Sequence, residues 1–226
     1  MLNSIFDKFD NLIVFDLETT GIDYKRDEII EVAALQVARG DSDFDVVEEF
    51  GSLVELSPNR KLPAAIIDLT GITDEQILNE GAPKDEICLK LADMLRSSNP
   101  LLAAYNAQFD LCFLYYFLNR FGMSDALKNV KMLDVLTVYK DRKPYPHKLS
   151  DAVGAYSIEI SNSHRALDDV SATFKLLCEM GRELDDLENY VNLFGYNPKY
   201  GVSGPKISTV KYLPQGYDRR KKLYET

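Results

Sequence analysis

Asp16 and Glu18 stand two positions apart where an apolar run, Asn11 to Asp16 (NLIVFD), comes to its end. In an extended strand, residues two apart point to the same face, so these carboxylates lie side by side. Two like charges held there need a cation. Two further blocks carry groups of the same kind. Asn106-Ala107-Gln108-Phe109-Asp110 sits at a strand-to-helix junction, and His164-Arg165-Ala166-Leu167-Asp168-Asp169-Val170 at a helix start. Asp110 falls on a first helical turn, where a carboxylate is favoured electrostatically. Asp169 follows His164 by five positions, whereas His147, the other histidine, lies beside Pro146 and reads as a structural or loop contact. Carboxylates grouped with an imidazole suit metal-assisted hydrolysis, in which charge is stabilised on both the attacking and the leaving oxygen. Oxygen ligands without cysteine favour Mg²⁺ or Mn²⁺ over zinc. An imidazole with an ordinary pKa of about 6.5 can take the proton from water.

The elements that must position these groups follow from patterning. Asn11 to Asp16 reads as a buried central strand, with its acid at the strand end, and Ile29 to Val37 and Val46 to Val54 as two more strands joined by a turn at Gly40-Asp41-Ser42. A three-stranded antiparallel start is expected. Short helices follow at Pro63 to Leu69 and Thr73 to Leu78, the second with Thr73 as N-cap and Gln76 as capping-box partner. Lys84 to Arg96 places Ile87, Leu91 and Leu95 along one helical face. Leu102 to Tyr105 is a buried strand, Ala107 to Phe121 an aromatic-rich helix stopping at Gly122, and Val130 to Leu133 a short last strand. Helices are then expected over Asp134 to Tyr139, His147 to Tyr156 and Arg165 to about Leu184. Lys140 to Pro146 (KDRKPYP) between the first two reads as a positively charged loop, either simply solvated or guiding a strand. The whole predicts an α/β domain with a mixed five-stranded sheet flanked by helices.

Composition bounds the reading further. With 226 residues, 46% hydrophobic and 27% charged, the chain is expected to form one domain, residues 1–190, followed by a Gly/Pro/Tyr-rich tail, residues 191–226, with no core of its own. The tail is expected to lie along the domain, to end in a basic run, Arg219 to Lys222, and to be dispensable for hydrolysis beyond Lys206. A net charge of −10 argues against a protein that coats duplex nucleic acid, but cations in an acidic cleft would reverse the local field. No membrane span or signal peptide is evident, so the expected compartment is the cytoplasm. Cys88, Cys112 and Cys178 are expected as buried thiols. Neither G-x-G-x-x-G nor G-x-x-x-x-G-K-[ST] occurs, which counts against a doubly wound nucleotide-binding protein.

DLETTG, NAQFD and HRALDDV, in that order, resemble the three motifs of the DEDD exonuclease superfamily in its histidine-bearing, DnaQ-like branch, typified by the proofreading epsilon subunit of bacterial DNA polymerase III. Leu69-Thr70-Gly71-Ile72 also matches a turn of that family. The resemblance covers roughly Asn11 to Met180 and implies a ribonuclease H-like fold, two divalent cations (Mg²⁺ or Mn²⁺), and 3′→5′ exonuclease activity. It assigns Asp16, Glu18, Asp110 and Asp169 as metal ligands, with family spacing selecting Asp169 over Asp168, and His164 as general base. It also implies contacts from the turn Thr19, Thr20 and Gly21 to the 3′ end, where these small residues leave room for a nucleotide. Leu17 and Phe109 are expected to stack or wedge against the last base, Phe109 having core packing as its alternative, and Asn106 to brace the site by hydrogen bonds. Single-stranded DNA is the favoured substrate over RNA. The expected context is proofreading or repair, alone or beside a DNA polymerase subunit, and the rival is a catalytically silent binding module.

Overall fold

In the computed structural model, residues 2–40, 44–159, 165–216 and 221–226 are described. Strand β1 (Asn11–Thr19) pairs antiparallel with β2 (Ile29–Arg39), which pairs antiparallel with β3 (Phe44–Leu53). On its other side β1 pairs in parallel with β4 (Pro100–Ala104), and β4 with β5 (Lys131–Asp134). The order β3-β2-β1-β4-β5 is the mixed five-stranded, ribonuclease H-like sheet that the motifs imply. Strand β1 runs three residues past Asp16, because β2 supplies partners through Glu18 opposite Glu31 before the register shifts at Thr19. The acids are therefore paired strand residues, not a strand terminus. Local apolarity ends at Phe15, and only the distant partner strand extends the ladder.

Alternation along β1 sorts its side chains into two layers. Ile13, Phe15 and Leu17 pack with α4 (Lys84–Leu95) and α5 (Ala107–Arg120). Leu12 and Val14 pack with α1 (Asn3–Phe6), α6 (Val135–Arg142), α7 (Leu149–Ala155) and α8 (Ala166–Glu183). Asp16 and Glu18 continue the Leu12–Val14 row, so their carboxylates belong to the α8 side of the sheet. A third, smaller cluster joins Ile30 and Leu53 to α2 (Ala64–Thr70) and α3 (Asp74–Glu80). The expected capping box at Thr73 and Gln76 is present. The three cysteines are buried thiols. No helix among the described residues is long and apolar enough to cross a membrane.

The basic loop expected at Lys140 to Pro146 is corrected in two respects. Helix α6 continues through Arg142, and the Arg142 side chain is 2% exposed, bound to Asp186 and to the carbonyls of Met180 and Leu184. Lys143 pairs with Glu183 at 2.7 Å. These charges hold the C-terminal end of α8 and the chain just beyond it. Of the expected turn after β2, Asp41 and Ser42 lie outside the described residues, as do Arg219 and Arg220 of the basic run.

Residues of the C-terminal segment enter both layers. β6 (Leu193–Tyr196) and β7 (Lys211–Pro214) pair in parallel as a separate two-stranded sheet. Leu193 and Leu223 are buried in the α8 layer, and Phe194 and Val210 in the α5 layer. Phe194→Ala is expected to cost about 3 to 5 kcal/mol of folding stability. Urea denaturation would check this, and a loss below about 1 kcal/mol would show that the segment does not share the core.

Candidate active site

Carboxylate oxygens of Asp16, Glu18 and Asp169 all lie within 4.8 Å of one another. Two come from one face of β1 and the third from the first turns of α8, which packs across that face. Of the adjacent acids on α8, it is Asp169, not Asp168, that joins this trio. Asp110 is not one of the three. It sits in the first turn of α5, 3% exposed, and accepts a hydrogen bond from the Leu17 amide in β1. Asp110 thus reaches the same stretch of β1 from the opposite layer.

Electrostatics show how closely the four acids are coupled. Burial, followed by the charges of Asp110, Asp169, Glu18 and Glu31, holds Asp16 well above the usual carboxylate range. Glu18 is pushed up to about 7 by burial, then by Asp169 and Glu31. Burial also raises Asp110, against hydrogen bonds from its own amide and that of Leu17. Such desolvated, mutually repelling carboxylates are relieved by a divalent cation. Hard oxygen donors within reach of a single point fit that group.

Each helix that carries an acid is anchored by a second buried carboxylate. Glu31 on β2, 4% exposed, accepts from the Ala166 amide at 3.1 Å and binds Arg165 at 2.8 and 2.7 Å, fixing the start of α8. Asp134, at the end of β5, accepts from the Ala107 amide at 3.0 Å and from the Thr137 hydroxyl at 2.5 Å, fixing the start of α5. Sequence reasoning singled out neither. A glutamate inside the apolar run IIEVAALQV was the available signal for Glu31. Asp134 reads locally as an N-cap of α6, which it also is, but its bond to Ala107 spans 27 positions.

The other expected site residues have varied surroundings. Asn106 is exposed with φ +68, and its side chain makes no cap bond to α5; the bracing expected of it comes from Asp134. The Thr20 hydroxyl donates to Asp27 at 3.2 Å and accepts from the Glu28 amide and Arg60, each at 3.0 Å. A Cβ on Gly21 would lie 2.4 Å from an Asp27 carboxylate oxygen. Thr19 donates to the Gly21 carbonyl at 2.6 Å. The small residues of this turn therefore first close the loop on itself. Leu17 is a core residue, and Phe109 is partly buried with its ring 5.0 Å from that of Phe113. His147 contacts the Lys143 carbonyl and the Tyr139 ring, as a loop contact should. His164 lies outside the described residues. A groove of about 490 Å³ between α5 and residues 205–209 contains none of the acids.

The sheet order β3-β2-β1-β4-β5, with helices on both faces, defines the fold as ribonuclease H-like. The fold is similar to that of Escherichia coli exonuclease I in complex with a dT13 oligonucleotide, with a TM-score of 0.65 and 20% identity over 76% of this chain and 41% of that one. A family model described as exonuclease, the RNase T family, matches residues 13–177, and the chain belongs to that family. It is 32% identical over 228 residues to the PolC-type DNA polymerase III of Oceanobacillus iheyensis, covering 96% of this chain and 15% of that protein. It is 34% identical over 177 residues to the PolC-type polymerase of Bacillus subtilis, covering 74% of this chain and 11% of the relative. The chain thus spans at most 15% of the length of these two relatives.

Two outcomes are expected. Because the folded Glu18 titrates near 7, against about 4.3 in an unfolded chain, the metal-free folded protein binds a proton in that window that the unfolded chain does not. Stability must then fall as pH rises through it, by on the order of 2 kcal/mol, before any cation is added. Glu28 lies below the usual range despite burial, because Lys84 and Ser57 hydrogen-bond it, so it titrates beneath the window. Thermal melts in chelator should show a higher Tm at pH 5.5 than at pH 8, with Glu18→Gln narrowing the gap; a flat profile would refute the coupling. Separately, Glu31→Ala frees the Ala166 amide and should cost about 1 to 3 kcal/mol in chemical denaturation. An unchanged midpoint would mean that α8 is held by other contacts.

Proposed function

We propose that the chain is a 3′→5′ exonuclease that hydrolyses single-stranded DNA ends to nucleoside 5′-monophosphates, in proofreading or repair. The observation that carries this reading is the convergence of Asp16, Glu18 and Asp169 oxygens within 4.8 Å, with Asp110 pressing on Asp16. In this proposal Asp16, Glu18, Asp110 and Asp169 hold two divalent cations, Mg²⁺ or Mn²⁺. Such a pair supplies a nucleophile from water at neutral pH and stabilises charge on the attacking and leaving oxygens.

The chain's own groups do the rest. His164 takes the proton of the attacking water as general base, and the rate falls on acidification as the imidazole becomes protonated. Glu31, by pinning Arg165 and Ala166, fixes the point where the His164 segment meets α8. The turn Thr19-Thr20-Gly21 receives the terminal nucleotide, with Leu17 and Phe109 as its apolar neighbours and Asn106 exposed at the start of α5. The choice of DNA is supported by the PolC-type DNA polymerases among the relatives and by the dT13 oligonucleotide in the exonuclease I structure. The same relatives support work beside a DNA polymerase.

The test is digestion of a labelled single strand with and without Mg²⁺ or Mn²⁺. Asp16→Ala should abolish both hydrolysis and most Mn²⁺ binding. His164→Ala should cut the rate by about a hundredfold or more while leaving Mn²⁺ binding close to wild type. Mononucleotide release unaffected by either change would refute the assignment, and a hundredfold preference for a matched RNA strand would refute the choice of DNA.

A further inference from the structure

The C-terminal segment is hydrogen-bonded to the first turn of α5, which carries Asp110. We infer that residues 192–215 are a strap that positions helix α5, and with it Asp110, through Thr137, Asp134, Gln108 and Tyr212. The inference deepens the proposed function, because it rests on Asp110 being a metal ligand.

Two hydrogen-bonded routes run from the segment to the first turn of α5. Along the first, the Gly195 amide in β6 donates to the Thr137 hydroxyl at 2.9 Å, and that hydroxyl donates to one oxygen of Asp134 at 2.5 Å. The other Asp134 oxygen accepts from Ala107, the first residue of α5, at 3.0 Å. Thr137 is fully buried, and its carbonyl accepts from the Gln215 side chain at 2.9 Å, so β6 and the residue just after β7 bond to the same residue. Along the second route, the Tyr212 hydroxyl in β7 donates to Gln108 Oε1 at 2.6 Å, and Gln108 Nε2 donates to the Pro205 carbonyl at 2.8 Å. Tyr212 in turn accepts from the Ile207 amide at 3.0 Å. Gln108 lies two residues before Asp110 on the same turn.

At its root the segment is fixed to the sheet edge. Asn192 donates its amide to the Met132 carbonyl at 2.7 Å, and its side chain accepts from the Met132 amide at 2.8 Å. The start of α5 is therefore gripped at Ala107 and at Gln108, and both grips lead back to a segment whose part beyond Lys206 was expected to be dispensable for hydrolysis. Without Tyr212 the second route keeps only the Gln108–Pro205 bond, and a cut after Lys206 would remove both Tyr212 and Gln215. Loss of the groups that support a metal ligand typically weakens affinity by about tenfold or more.

The experiment uses the full chain and two conservative pairs. Thr137→Val and Tyr212→Phe each remove one hydroxyl with little change of shape, Thr137→Ser restores the hydroxyl, and Asp110→Asn removes the ligand. Mn²⁺ affinity is read by titration calorimetry, hydrolysis of a labelled strand as a function of Mn²⁺, and folding by thermal melting. Thr137→Val and Tyr212→Phe should weaken Mn²⁺ binding and raise the Mn²⁺ needed for half-maximal rate, each by about tenfold, with Thr137→Ser near wild type. Both variants should melt as cooperatively as the wild type. Mn²⁺ affinities equal to wild type in both would overturn the strap. A wild-type chain that binds Mn²⁺ but releases no nucleotide would instead overturn the proposed function, and the strap would still be judged on the binding data. Equal Mn²⁺ binding by wild type and Asp110→Asn would overturn the premise that Asp110 is a ligand, and with it the strap.

Discussion

Repulsion among carboxylates that the fold will not let separate is the constraint on which the site depends. Asp16, Glu18 and Asp169 share one small volume, Asp110 bears on it from the other layer, and Glu31 adds a further charge. In water such groups would stay apart and ionise independently. Here burial raises the cost of each charge, and proximity multiplies it. A protein accepts that cost only where something else offsets it, and for all-oxygen ligands a hard divalent cation is the natural counter-charge. The net charge of −10 is consistent with this arrangement rather than opposed to nucleic-acid chemistry, because cations held at these acids would set the local field.

The scaffold meets the constraint through one repeated device. Both helices that bring an acid to β1 begin at an amide held by a buried carboxylate from another strand, Glu31 for α8 and Asp134 for α5. Each such carboxylate accepts an otherwise unpaired helix N-terminal N–H, so it is stabilised where an isolated buried charge would not be. The acids are thereby fixed by carboxylates from strands, on opposite sides of the sheet. This explains how residues from two layers address one segment of β1, and why the support extends as far as β6 and β7.

Much of the fold was legible locally. The runs around Asp16, Ile29 and Leu102 announced strands because apolar, β-rich segments bounded by turn residues have few other uses. The capping box at Thr73 and Gln76 was readable because it is satisfied within four residues. Other expectations failed where a distant partner decides the outcome. Arg142 read as part of an exposed basic loop, yet Asp186 and the carbonyls at the end of α8 bury it. What surrounds Thr20 and Gly21 was likewise not legible, because Arg60 reaches Thr20 from 40 positions away.

By itself the sequence determined where the candidate acids lie in their elements, since residue type and short spacing are enough to place Asp16 beside Glu18 on one strand face and Asp110 in a helix's first turn. It also determined the mixed sheet, through the order of strand-like and helix-like segments. Only the tertiary structure decided that Asp16, Glu18 and Asp169 meet within one small volume, that Glu31 and Asp134 anchor the helices, and that the C-terminal segment is bonded to α5. The reason is physical: spacing along a chain fixes direction within one element, but a hydrogen bond or a shared charge between elements depends on distances that no local pattern encodes.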